Sequence, residues 1–111
     1  MKYFDEIKRS MDWLNTKPDT LFLGQAVEYD GTAMTRTLKD VDADKKLEMP
    51  VNEEMQTGIT LGMALNGTVP VSIYPRWNFL LLGANQLVNH IDKIKVMSSG
   101  GYTPKIIIRT S

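Results

Sequence analysis

The chain has 111 residues, of which 13 are basic and 13 acidic, and it contains no cysteine. A chain of this length forms one small domain that buries about two-thirds of the surface exposed by its unfolded form. The balanced charge argues against a nucleic-acid surface or a polybasic membrane patch, and the lack of cysteine excludes disulfides, thiolate metal sites and cysteine nucleophiles.

The first segment, residues 2–15, predicts an amphipathic helix. Its apolar residues recur every three or four positions, at Phe4, Ile7, Met11 and Leu14. No long apolar region precedes a small-residue cleavage site here, so we expect no signal peptide. No apolar run reaches the roughly 20 residues needed to cross a bilayer. These features predict a soluble, cytoplasmic protein without membrane contact.

Residues 20–49 predict two short strands with a helix between them. The run TLFLG, residues 20–24, is apolar and ends in glycine, which is typical of a buried strand. After a loop with the turn residues Asp30 and Gly31, residues 35–41 predict a short helix. The run KLEM, residues 46–49, is a weaker strand candidate, which Pro50 ends.

A second long helix is predicted to begin after Asn52, a good N-cap residue, and to end at Gly67. Its apolar residues lie on one helical face: Met55, Ile59, Met63 and Ala64. Gly58 and Gly62 each cost the helix about 1 kcal/mol relative to alanine. They therefore indicate close approach of another helix or backbone, either within the domain or across a subunit boundary.

The last third of the chain predicts a strand, a long helix and a final strand. The run TVPVSIY, residues 68–74, is strand-like, and its proline indicates an early or edge position. The helix is predicted from Trp77 to about Met97 by an apolar stripe: Trp77, Leu80, Leu81, Ala84, Leu87, Val88, Ile91 and Ile94. Phe79 and Leu82 lie off this stripe, where they belong either to a second buried side or to a pocket wall. PKIIIRT, residues 104–110, predicts a strand buried on both faces.

Strands and helices therefore alternate along the chain, which predicts an α/β fold with a mainly parallel sheet flanked by helices. The sequence lacks the motifs HExxH, GxxxxGK[ST], GxGxxG and GxSxG. Its one histidine, His90, is predicted to be a surface or interface residue bonded to a neighbouring carbonyl rather than a base. Glu53 and Glu54 stand in the first turn of a helix, where an acid stabilises the helix by about 0.3 to 1 kcal/mol. Local pattern alone favours this stabilising role over catalysis.

The series of segments resembles a known family. LGQAVEYDGTAMTRTL, PVNEEMQTGITLGMALNGTVPV, WNFLLLGANQLVNHIDKIKVMSSGG and IIIRT follow the order found in the pyrimidine-binding domain of the beta subunits of 2-oxo acid dehydrogenase complexes, of the pyruvate and branched-chain types. Transketolases carry a more distantly similar domain. The resemblance covers residues 22–110. It implies that thiamin diphosphate binds between this domain, which holds the aminopyrimidine, and a diphosphate-binding alpha-type subunit that holds Mg2+.

The resemblance also implies roles for individual residues. Glu53 matches the family's glutamate, which hydrogen-bonds N1' of the pyrimidine so that the exocyclic amine takes the proton from the thiazolium C2. Val51 matches a position that lines the ring, and Phe79 matches an aromatic residue that packs on it. Arg76 lies at the pocket mouth, where it would meet an anionic substrate, a partner or only solvent.

Several features depart from the family. Gln25 stands where many relatives have an acid, and Pro75 where several have a glutamine. The family continues past Ser111 with a histidine-bearing loop and a further domain, so residues 1–111 are expected to be an incomplete pyrimidine-binding domain, inactive alone. We expect it to work in a homo- or hetero-oligomer on a 2-oxo acid or a sugar. The alternatives are a truncated or split-gene assembly module without turnover, or a generic small α/β binding protein.

Overall fold

The sheet is parallel throughout. A computed structural model describes residues 2–111 of the chain. Its strands are β1 (Thr20–Gly24), β2 (Lys46–Glu48), β3 (Val69–Ile73) and β4 (Ile107–Arg109). They pair in the order β2-β1-β3-β4, and each neighbouring pair is parallel. The predicted α/β fold with a mainly parallel sheet is confirmed, including the weak strand candidate that became β2.

Helices lie on both faces of this sheet. They are α1 (Tyr3–Asn15), α2 (Ala33–Arg36), α3 (Glu53–Leu65), α4 (Trp77–Leu80), α5 (Ala84–Gln86) and α6 (Ile94–Met97). Short 3-10 turns cover Ala43–Lys45 and Leu81–Gly83, and a π turn covers Leu87–Ile91. Among residues 2–111, none of the helices combines the length and apolar character that crossing a membrane requires.

The apolar core lies on the face of the sheet that α1 covers. Successive side chains of a strand point to opposite faces, so Phe22 of β1 with Val71 and Ile73 of β3 point to this side. They form one cluster with residues of α1 and of the segment after β1: Met11, Val27, Met34, Leu38 and Val41. The predicted helix over residues 35–41 is wrong in its bounds, because α2 begins earlier, at Ala33, and ends at Arg36.

The opposite face of the sheet meets α3 through polar side chains, and Met55 and Ile59 of the predicted apolar face point away from it. Met55 and Ile59 are 38% and 37% exposed, whereas Gln56, Thr57 and Thr60 are fully buried. The polar side faces inward because the strand beneath it offers hydroxyl groups. These hydrogen bonds join Gln56 Nε2 to Ser72 Oγ at 3.1 Å, Thr60 Oγ1 to Ser72 Oγ at 2.9 Å, and Thr57 Oγ1 to Tyr74 OH at 2.6 Å.

The prediction of an early or edge position for the proline is confirmed, because Pro70 is the second residue of β3, which is central in the sheet. Proline has no N–H, but no hydrogen bond of the sheet is lost. The N–H groups along β3 point alternately to its two neighbours, and at residue 70 the direction is toward β4. The pairing of β3 with β4 begins only at the next residue, with Val71 and Ile107. Strand β4 is only half-buried rather than buried on both faces, since within residues 2–111 it has a neighbour on one side.

The predicted helix from Trp77 to Met97 is a chain of helical turns rather than one helix. The backbone tightens at Leu81–Gly83 and widens at Leu87–Ile91, where the amide of Asp92 bonds the carbonyl of Leu87 at 3.0 Å. Each change of pitch rotates the apolar stripe, so that Leu80 is buried while Val88 is exposed.

Candidate functional site

The candidate site lies where β1 and β3 end. The chain runs from β1 outward to β2 and then returns past β1 to β3, so the strand order reverses between β1 and β3. In open parallel sheets, the crevice outside the carboxyl ends of strands at such a reversal is the usual place for a ligand. Gly24 ends β1 at this point, and the amide of Gln25 bonds the carbonyl of Ile73 at 3.3 Å.

Glu53 lies at this crevice, in the first turn of α3. Its side chain is 6% exposed, and its Oε1 accepts a hydrogen bond from Gln25 Nε2 at 3.2 Å. Its other oxygen, Oε2, accepts no hydrogen bond from residues 2–111 and is not fully enclosed. Asn52 caps the helix, as predicted, by accepting the amide of Met55 at 2.9 Å. The arrangement therefore holds a carboxylate at the positive end of a helix with one oxygen available.

The loop that carries Gln25 is held by a second carboxylate. Strand pairing places Glu48 beside Gly24. The Glu48 carboxylate accepts the backbone amides of Ala26, Val27 and Glu28, each at 2.8 Å. Ala26 has a left-handed backbone, φ 58°, which turns these successive N–H groups toward one point. Sequence reasoning missed this contact, because nothing near Glu48 in the chain signals that β2 pairs with β1.

Removing the Glu48 carboxylate is expected to destabilise the fold. Glu48→Ala leaves three amides without their charged acceptor, and we expect a loss of at least about 2 kcal/mol because each hydrogen bond to a charged group contributes about 1.5 to 3 kcal/mol. Urea unfolding measures the loss, and amide hydrogen exchange at residues 26–28 should accelerate. Glu28→Ala removes an exposed acid from the same loop and should change neither measurement; equal effects of the two substitutions would contradict the proposed role of Glu48.

The segment that follows β3 packs closely on the start of α3. A Cβ built on Gly83 would collide with Thr57 Oγ1 and lie 3.2 Å from the Glu53 carbonyl oxygen, so only glycine allows this approach. Glu54 joins the same two elements, because its Oε1 accepts Asn85 Nδ2 at 2.6 Å and Gln86 Nε2 at 2.9 Å. Glu54 therefore does more than the first-turn stabilisation predicted for it.

The contacts of Glu54 predict a dependence on pH. The hydrogen bonds from Asn85, and then from Gln86, hold the pKa of the Glu54 carboxyl below its ordinary value. A lowered folded-state pKa means that the interaction stabilises the fold above the ordinary glutamate pKa and is lost as the pH falls through the lowered value. Carboxyl-carbon NMR should show this low midpoint, and Asn85→Ala should raise it. An unchanged midpoint in Asn85→Ala would contradict the assignment.

His90 is exposed, and its Nδ1 lies 2.7 Å from Gln86 Oε1. This agrees with the prediction of a surface histidine bonded to a neighbouring carbonyl group. Residues 2–111 contain no group of three or more histidine, cysteine, aspartate or glutamate side chains placed to hold a metal ion.

The other predicted site residues divide between two places. Val51 is 80% exposed and stands two residues before Glu53. Phe79 and Arg76 line a cavity of about 740 Å3, which neither Glu53 nor Val51 lines. The structure thus brings Glu53 together with Gln25, and Phe79 together with Arg76, but it does not place Glu53 in this cavity.

The side of α3 that faces away from the sheet carries exposed apolar residues and two glycines. Met55 and Ile59 point outward from α3. A Cβ on Gly62 would meet nothing within 4 Å, and one on Gly58 would meet only the Gln86 side chain, at 3.9 Å. Residues 2–111 therefore supply no close packing that would explain these two glycines.

Comparison with known proteins identifies relatives over nearly the whole chain. No protein-family model matches it. The mitochondrial pyruvate dehydrogenase E1 component subunit beta of Drosophila melanogaster is 30% identical to this chain over 109 residues, which are 95% of the chain. The chain is homologous to pyruvate dehydrogenase E1 beta subunits. The corresponding beta subunit of Porphyra purpurea is 29% identical over 110 residues, or 96% of the chain.

The homology confirms the resemblance seen in the sequence. It also extends to the chloroplastic pyruvate dehydrogenase E1 subunit beta-3 of Arabidopsis thaliana, which is 30% identical over 99 residues. The chain spans 30% of the Drosophila protein, 33% of the Porphyra protein and 24% of the Arabidopsis protein, so about a third or less of the E1 beta subunits that it matches.

Proposed function

We propose that this chain is the pyrimidine-binding part of a thiamin-diphosphate-dependent 2-oxo acid dehydrogenase and that Glu53 bonds the aminopyrimidine of the cofactor. The observation that carries the proposal is the buried Glu53 carboxylate at the strand reversal, with Oε1 held by Gln25 and Oε2 left available. Homology to E1 beta subunits supports the reaction class.

The residues at this place fit the cofactor's pyrimidine. A protonated ring nitrogen needs one hydrogen-bond acceptor, and Glu53 offers one free oxygen two residues after the exposed Val51. When bound, thiamin diphosphate supplies the nucleophilic carbon that attacks the keto group. The chain's own part is to orient the ring and to hold the Glu53 carboxylate at the start of α3, where the helix dipole favours the anion.

Val51 and Phe79 are proposed to contact the ring. Val51 is exposed next to Glu53, so its methyl groups are free to meet a ligand. Phe79 is half-buried and belongs to the segment that Gly83 brings against α3. Packing of this segment on Glu53's helix supports a common role for the two residues.

The proposed partner is an alpha-type subunit that holds the diphosphate and Mg2+. The outer side of α3 supports this, because Met55 and Ile59 are exposed there and the two glycines of α3 leave that side open. Exposed apolar surface of this kind marks a protein interface.

Titration with thiamin diphosphate tests the proposal. Three samples are titrated by calorimetry in the presence of Mg2+. They are the chain alone, an E1 alpha subunit alone, and the two proteins together. We expect binding that is tightest when both chains are present. The two proteins could instead associate without any change in the affinity of the alpha subunit for the cofactor. That result would mean that the chain is an assembly module and that the proposed function is wrong.

A further inference from the structure

The Glu53 carboxylate has one oxygen that is held and one that is available, and a single side chain makes the difference. Gln25 Nε2 donates to Glu53 Oε1 at 3.2 Å, and the carboxylate accepts no other hydrogen bond from residues 2–111. Both side chains are largely buried, because Gln25 is 9% and Glu53 6% exposed. Water therefore competes little for Oε1, and a hydrogen bond to a charged acceptor is stronger where water is excluded.

Chemistry fixes the direction of this hydrogen bond. A carboxylate oxygen accepts hydrogen bonds and donates none, so the part of the Gln25 amide that faces Glu53 is the N–H group rather than the amide oxygen. A proton on Oε1 of the carboxyl group would be directed at that N–H group, whereas a proton on Oε2 would meet no such donor. The amide therefore directs the proton of the Glu53 carboxyl group to Oε2, the available oxygen.

The backbone around Gln25 is itself held in place. Its amide bonds the carbonyl of Ile73 at 3.3 Å, and the amides of the next three residues each bond the Glu48 carboxylate at 2.8 Å. Just before it, Gly24 lies so close to β3 that a Cβ would collide with the Ile73 carbonyl oxygen. Gln25 therefore has little freedom to move with Glu53, and a side chain orients its partner well only when it is fixed itself.

We propose that Gln25 is a positioning residue for Glu53: its side-chain amide holds Oε1 and leaves Oε2 as the oxygen that gives and takes the proton. This role rests on the function proposed for Glu53, because it concerns the proton that the carboxylate exchanges with the ring nitrogen of the cofactor. Gln25 acts through Glu53 and needs no contact with the cofactor. Without the amide, the carboxyl group is free to turn about its last bond, whose rotational preferences are broad.

Proton exchange of the Gln25 side chain, followed by NMR on the 111-residue chain without cofactor or partner, tests the contact. We expect the Gln25 amide protons to exchange with water at least about tenfold more slowly in the parent than in Glu53→Met, because a hydrogen bond to a charged group must first break. Glu54→Met removes the neighbouring acid and should leave this exchange at the parental rate. Equal exchange in the parent and in Glu53→Met would overturn the positioning role.

Gln25→Met tests the consequence for the cofactor, because methionine keeps the length of the side chain but has no N–H group to donate. The chain is assembled with an E1 alpha subunit, Mg2+ and thiamin diphosphate. We expect the C2 proton of the cofactor to exchange for deuterium about 10- to 100-fold more slowly than in the parent, since a small misplacement of a reacting group costs up to about 100-fold. The affinity for the cofactor, measured by calorimetry, should stay the same.

Gln86→Met provides the matched control. It removes an amide that donates to the neighbouring acid, since Gln86 Nε2 bonds Glu54 Oε1 at 2.9 Å. The C2 proton should exchange at the parental rate in this variant. A loss as large as that in Gln25→Met would overturn the positioning role, because any amide near the start of α3 would then have the same effect.

The double variant of Gln25→Met and Glu53→Gln shows whether Gln25 acts through Glu53. We expect it to be no slower than Glu53→Gln alone, because effects of residues that act through one contact do not add. Losses that multiply would overturn the positioning role, since Gln25 would then support the site in another way.

The same variants separate this role from the proposed function. A parental rate in Gln25→Met beside a slow Glu53→Gln would overturn the positioning role and leave the proposed function intact. Parental rates in both would overturn the proposed function and the positioning role together. If Gln25→Met fails to fold, the amide exchange in the parent and in Glu53→Met still decides whether Gln25 holds Oε1.

Discussion

Glu53→Gln is expected to slow thiamin-diphosphate-dependent decarboxylation of a 2-oxo acid by about 100- to 10,000-fold, the usual contribution of a positioned acid–base group. Glutamine has the same shape, so the contact with Gln25 and the start of α3 should survive. Glutamine can donate a hydrogen bond to a neutral ring nitrogen, but it cannot give up or take the proton that the proposed role shares with that nitrogen. The rate is measured with an E1 alpha subunit, Mg2+ and an artificial electron acceptor.

Glu54→Gln provides the matched control for this prediction. It removes the same charge from the next residue of the same helix turn, where the carboxylate bonds Asn85 and Gln86 instead. We expect its rate to equal that of the parent. Equal losses in the two variants would mean that the charge of the helix turn matters rather than Glu53 itself, and parental activity in Glu53→Gln would contradict the proposed role.

Gly24→Ala is expected to lower the free energy of unfolding by about 3 kcal/mol or more, because it combines a strained backbone with a collision. Gly24 has φ 142°, which side-chain-bearing residues rarely adopt. A Cβ there would run into the carbonyl oxygen of Ile73 on the neighbouring strand and lie 2.9 Å from Gln56 Nε2. Strands β1 and β3 would have to separate where the candidate site begins. Urea unfolding followed by circular dichroism measures the loss.

Gly31→Ala separates the two causes. Gly31 also has a positive φ, 109°, but a Cβ there would meet nothing within 4 Å. It should therefore lose only the backbone contribution, about 1 kcal/mol. If the two substitutions cost the same, the close approach of β3 to Gly24 does not contribute to stability and the packing described for the site is wrong.

Local sequence predicted the elements whose causes are local. The spacing of Phe4, Ile7, Met11 and Leu14 placed α1, and Asn52 placed the first turn of α3. Each depends on residues within a few positions of one another. The alternation of strands and helices likewise predicted the parallel sheet, because parallel neighbours need a crossover between them.

The orientation of α3 could not be predicted in this way. Met55 and Ile59 formed the apolar side, and the usual rule turns such a side toward the core. The helix instead turns Gln56 and Thr60 inward, because Ser72 stands opposite them on β3 and accepts hydrogen bonds from Gln56 Nε2 and Thr60 Oγ1. That partner is distant in the chain and appears only once the strand is placed.

The candidate site was predictable only in part. Glu53 was identified by resemblance to a family, and its local pattern alone favoured an ordinary first-turn acid. The hydrogen bonds from residues 26–28 to Glu48 require the pairing of β1 with β2, and the cavity that Phe79 and Arg76 line requires the ends of β3 and β4 to lie side by side. Neither pairing leaves a mark in the neighbouring sequence. The cytoplasmic location stays a prediction.

The most direct test of the role of Glu53 is the rate at which the C2 proton of bound thiamin diphosphate exchanges for deuterium, followed by NMR in the chain assembled with an E1 alpha subunit and Mg2+. No substrate is needed, so the measurement reports activation of the cofactor alone. We expect Glu53→Gln to slow the exchange at least about 100-fold relative to the parent and to Glu54→Gln. Equal exchange rates in the parent and in Glu53→Gln, with the cofactor bound in both, would contradict the proposed role.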